Sequence, residues 1–141
     1  AELAEIVAMV NRLQPDLIAI TGDLVDGSVT ELAGELTPLA ELKARHGVFF
    51  VTGNHEYYSD VEEWLPEIEQ LGITVLNNSR VEIRQGDDMF IVAGVTDHQA
   101  GKFGKEYAPD FNRALAGIAE TRTVVVLLAH AGLARYMHHY S

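Results

Sequence analysis

The sequence contains no cysteine. Disulfides, thiolate zinc sites and cysteine nucleophiles are therefore excluded, and any metal must be held by oxygen and imidazole. Basic residues are scarce too: ten Lys and Arg stand against 21 Asp and Glu, a formal net charge of −11. That balance argues against a nucleic-acid backbone or an anionic membrane surface as a generic partner, and it suits a chain that holds cations. Long apolar runs are also missing. The longest, Val124 to Ala129, falls far short of the ~18 residues of a membrane span. No basic, apolar-cored opening with a cleavage site appears, so no signal peptide is expected. Because the chain opens on Ala1 without an initiator methionine, processing or an excised piece is expected. With no repeat, low-complexity tract or Pro/Ser-rich linker, residues 1–141 are read as a single domain, long enough to bury a substantial core.

What is present is an alternation of helical and strand-like segments. Leu3, Ile6, Val7, Val10 and Leu13 are spaced as one face of a helix that stops before Pro15. Leu17 to Ile20 reads as a buried strand, Thr30 to Arg45 as a helix with Thr30 as N-cap, and Val48 to Val51 as a strand covered on both faces. A third helix is expected over Asp60 to Leu71, capped by Asp60 or Ser59 and stopped by Gly72. This order is that of parallel βα units. Short strands follow at Ile73 to Leu76, Val81 to Arg84 and Met89 to Ala93, the last two joined by a hairpin turn over Gln85 to Asp88. Gly94 to Lys105 reads as a long functional or mobile loop, Pro109 to Ile118 as a helix, Thr123 to Ala129 as the most apolar strand and Ala131 to Tyr140 as a short helix.

Three of these strands, all expected to be buried, end on residues able to bind metal or move protons: Asp23, then Asn54 with His55 and Glu56, then His130. In open α/β sheets ligands bind outside the carboxyl ends of strands, so the three tips are candidates for one site. Helix capping at Asn54 would also account for its position, and turn chemistry beside Gly27 accounts for Asp26. A carboxylate, an amide oxygen and an imidazole suit a borderline divalent ion such as manganese, iron(II) or zinc. Two such ions about 3.5 to 4 Å apart can clamp the oxygens of a phosphate. Asp23 would then bridge them, and His55 would stabilise developing charge or protonate the leaving oxygen.

Gly22-Asp23-Leu24-Val25-Asp26, Gly53-Asn54-His55-Glu56 and the lone His130 resemble three consecutive blocks of the calcineurin-like metallophosphoesterase family. Gln14 to Ile18, Gly94 to Asp97 and Leu127 to His130 are similar to its bacterial branch, whose members often carry an amino-terminal membrane anchor. The resemblance implies an αββα sandwich and hydrolysis of phosphate mono- or diesters at a dinuclear metal centre. It makes Asp23 the bridging ligand, assigns Asn54 and His130 to the second metal and makes His55 the catalytic histidine. Two departures stand beside it: neither the family's opening Asp-x-His block nor its closing Gly-His-x-His block is present. We therefore expect an incomplete sandwich, lacking its first strand and its carboxyl-terminal strands, with exposed edges that a homo-oligomer would pair. Activity is expected to be weak or absent unless the site is completed, with His138 and His139 read as an exposed tail before substitute ligands. His98 is read as an exposed loop residue, with a place near substrate as the alternative, and His46 is given no chemistry. Membrane association would come only through a segment not present, leaving this chain soluble, and a cytoplasmic or membrane-associated whole protein. The rival readings are a non-catalytic metal-binding or assembly module and a plain α/β domain whose strand-tip residues are caps.

Overall fold

The first half of the chain builds a parallel sheet, as its alternation of apolar periods requires. Helix α1 (Glu2–Arg12) is followed by β1 (Ile18–Thr21), β2 (Val48–Val51) and β3 (Thr74–Val75), paired in the order β1-β2-β3. Both pairings are parallel, with Ile18 opposite Val48 and Phe49 opposite Thr74. The central strand β2 is buried along its whole length, as a run with no polar alternation demands. The computed structural model describes residues 2–25, 27–118 and 123–130; Asp26, His138, His139 and the helix expected over residues 131–140 lie outside them.

The second half changes to mixed pairing. β4 (Ser79–Gln85) and β5 (Asp88–Gly94) form an antiparallel hairpin, and β6 (Val124–Leu128) lies parallel to β5 on its other side. Gln85 pairs with Asp88, so the turn is only Gly86 and Asp87, with Gly86 at φ 64 in the first central position that a II′ turn gives to glycine.

The two sheets face one another. Phe49 and Val51 of the first pack with Leu76, Ile83, Val92 and Leu128 in one apolar cluster between them. Alternation along β2 sends Val48 and Phe50 to the opposite face, where they meet Val7 of α1 together with Trp64 and Ile68 of α4 (Val61–Gln70). The outer face of the second sheet packs Ile91 and Ala93 against Ala114 of α5 (Phe111–Leu115). Helices thus cover both outer faces, and the expected αββα layering holds.

Four local expectations change. The segment from Thr30 begins as α2 (Val29–Leu32), capped by Ser28 instead of Thr30, and tightens into a 3₁₀ helix over Ala33–Glu41 that contains Pro38. Proline lacks the N–H that an α-helix would use there. Asp60 holds the N-cap position of α4 at φ 70 but makes no capping bond, while Ser59 Oγ accepts from the Gly27 N–H at 3.1 Å. Gly94 to Lys105 is packed where a loose loop was expected: Val95, Thr96, Asp97 and Ala100 are buried, though His98 is exposed. Asn78 makes this possible by accepting from the N–H groups of Thr96 and Asp110 and donating to Ala108 O. Finally, among the described residues β1 and β6 are edge strands, not buried ones: β5 alone pairs with β6 there, and Val124 is 64% exposed.

Trp64 joins these layers to the site end of the molecule. It is wholly buried, and its indole N–H donates to Gly27 O at 2.8 Å. Trp64→Ala is expected to destabilise the fold by about 3–5 kcal/mol in urea denaturation, and Trp64→Phe by less, since it keeps most of the volume.

Candidate metal centre

The site is built where the ends of β1, β2 and β6 meet. After β1 the chain turns through Gly22 at φ 83 and Asp23 at φ 53; after β2 it turns through Gly53 into a short helix α3 (Asn54–Tyr58). A Cβ on Gly22 would lie 2.7 Å from Gly53 N and 2.5 Å from His130 Nδ1, and one on Gly53 would lie 2.5 Å from Asp23 N. Only a pair of glycines lets these backbones approach so closely.

Glu56 locks the approach. Its buried carboxylate accepts from Gly53 N–H at 2.6 Å, Asp23 N–H at 2.9 Å and Val25 N–H at 3.2 Å. The first bond is half of a capping box, with Gly53 as N-cap and Glu56 at the third helical position. Glycine has no side chain to complete the box. Asp23 supplies the missing acceptor from across the turn, its Oδ1 taking the His55 N–H at 3.0 Å. Burial pushes the Glu56 carboxyl upward from its ordinary pKa, and the three N–H donors oppose that by stabilising the carboxylate.

The other Asp23 oxygen faces His130, with Oδ2 3.0 Å from Nε2. His130 Nδ1 lies 2.6 Å from Thr21 O, and since a carbonyl only accepts, that nitrogen carries the proton. In the neutral ring Nε2 then turns a lone pair toward a carboxylate oxygen. A cation between two acceptors, whether a proton or a metal ion, reconciles them. Two ligands on a shared ion with bonds of about 2.1 Å also sit near this separation. Asp23 and His130 therefore fit a metal, and Asn54, half-buried at the first position of α3, lies next to Gly53 at the same tip.

The structure brings Asp23 together with His130 and with the backbone N–H of His55. Among the described residues no group of three His, Asp or Glu side chains is placed to hold a metal ion. Glu56 has a scaffolding role in place of a place among the ligands; its spacing of three from Gly53 was the sequence signal. His46 lies away from these tips, 3.3 Å from Gln85 Oε1 and edge-on to Phe90.

Comparison with known proteins places the chain as a whole. A model of the calcineurin-like phosphoesterases matches residues 1–141. The chain belongs to the calcineurin-like phosphoesterase family. It is 38% identical over 135 residues to a transmembrane protein with metallophosphoesterase domain from Danio rerio, covering 92% of this chain and 31% of that one. It is 39% identical over 125 residues to a Helicobacter pylori metallophosphoesterase, covering 89% of this chain and 32% of the relative. This calcineurin-like chain thus spans about a third of the length of these two relatives. The solved structure of Haemophilus influenzae NAD nucleotidase superposes with a TM-score of 0.64 at 21% identity, over 96% of this chain and 33% of that one, a likeness of fold. No helix among the described residues of this family member is long and apolar enough to cross a membrane.

Glu56→Gln keeps the size of the side chain but turns an NH₂ donor toward backbone N–H groups. We expect a loss of about 2–3 kcal/mol in urea denaturation.

Proposed function

We propose that this chain carries the strand-tip half of a phosphoester hydrolase that works with a dinuclear centre of manganese, iron or zinc. The observation that carries the reading is the Asp23–His130 pair, two acceptors held 3.0 Å apart, with the ring fixed by Thr21 O. Asp23, Asn54 and His130 would hold one ion, and Asp23 would bridge to the second.

Bound there, the ions would polarise a phosphoryl oxygen and supply a hydroxide near neutral pH. The residues of the chain do the rest. Glu56 fixes both strand tips, so Asp23 meets incoming charge without rearrangement. The His55 backbone orients Asp23, and the His55 side chain is assigned to protonating the leaving oxygen or stabilising its charge. A second reading, a metal-binding or assembly module without turnover, is favoured by the absence of a third His, Asp or Glu ligand among the described residues.

Metal addition separates the readings. Manganese or zinc at about 100 times its Kd should stabilise the chain by about 2.7 kcal/mol, seen as a higher melting temperature. That shift should vanish in Asp23→Ala and His130→Ala; a melting point unmoved by millimolar metal in the parent chain would overturn the site. For the hydrolase, His55→Ala keeps the metal-induced shift but lowers kcat on a phosphate ester by about 10²–10⁴. For the module, two-ion loading and turnover are both missing, and His55→Ala changes nothing.

A further inference from the structure

From α3, the helix that starts at the candidate centre, runs an aromatic cluster with two exposed rings that the metal site does not use. On α3, Tyr58 follows His55 by three positions, so the two side chains share a flank of the helix. Tyr58 is 65% exposed, and its ring meets Phe103 at 5.1 Å between centroids and 86° between planes. Phe103 ends the 3₁₀ turn Ala100–Phe103 and is itself 38% exposed. Phe103 has an aromatic floor behind it. Tyr57 is buried beneath Phe103, stacked on it at 5.7 Å and 29°, with its hydroxyl 2.9 Å from Thr52 Oγ1. Tyr107 closes the floor edge-on to Tyr57 at 5.5 Å.

Packing explains Tyr57 and Tyr107 but not the two exposed rings. Tyr58 and Phe103 expose ring surface on which a third aromatic ring can stack, and small-molecule sites are commonly lined by aromatic side chains. The position is specific: a group docked on Tyr58 lies along the same helix flank as His55, the residue assigned to the leaving oxygen. We propose that Tyr58 and Phe103 form a ledge for the leaving group of the substrate, and that this group carries a planar aromatic ring. The inference rests on the phosphoesterase reading above and adds a substrate class to it.

The test measures binding with two phosphonates that are not hydrolysed, phenylphosphonate and methylphosphonate, titrated calorimetrically into the full chain with manganese present. The parent chain should prefer the phenyl compound by roughly threefold to tenfold, the range of one aromatic pair. In Tyr58→Ala and Phe103→Ala that preference should fall toward one, and in Tyr58→Phe it should persist, because stacking needs the ring and not the hydroxyl. Equal affinity for the two compounds in the parent chain, or a preference unchanged in both alanine variants, overturns the ledge alone. Collapse of the preference in Tyr58→Phe overturns stacking as its basis. Binding of neither compound, together with no hydrolysis of any phosphoester, overturns the phosphoesterase reading and the ledge with it.

Discussion

One buried carboxylate holds the functional end of this molecule together. Glu56 takes N–H groups from Gly53 on its own strand tip and from Asp23 and Val25 on the neighbouring one. Without it, three amide donors would be left inside the protein with nothing to satisfy them, each a cost comparable to a lost hydrogen bond. With it, two irregular turns become one rigid unit. The left-handed backbone at Asp23, the helix start at Asn54 and the direction of the Asp23 carboxylate all follow from that unit.

Much of this was legible in the sequence because it is written in local terms. The unbroken apolar run Val48 to Val51 and the glycine after it specify a buried strand ending in a turn, and β2 is such a strand. The hairpin of β4 and β5 follows from alternation around Gly86. The convergence of Asp23 and His130, which are far apart in the chain, could be expected because each sits just beyond a strand.

What was not legible depends on partners distant in sequence. The burial of β1 and β6 is a property of sheet order, and an apolar strand such as Val124 to Leu128 reads the same at an edge as at a centre. The packing of Thr96 and Asp97 depends on Asn78, a residue whose type signals a turn and whose three bonds signal a hub. Glu56 was legible only as a strand-tip carboxylate able to bind metal or move protons; its burial beneath two turns gives it a scaffolding role. The aromatic pairing of Tyr58 with Phe103 spans two separate elements, and no periodicity announces it.

The Asp23–His130 contact has a further consequence, because its two halves belong to different layers. Asp23 extends from the parallel sheet and His130 from the mixed one, while the apolar seam of Phe49, Val51, Ile83, Val92 and Leu128 runs between them. Seam packing has no directional bonds of its own, so sliding of one sheet past the other is resisted mainly by side-chain interdigitation. A cation gripped by both residues would act as a cross-layer rivet. By reciprocity, the tightness of that grip would then report the alignment of the sheets: a core substitution far from the strand tips, one that tilts the seam slightly, would register first as a weakened hold on the ion.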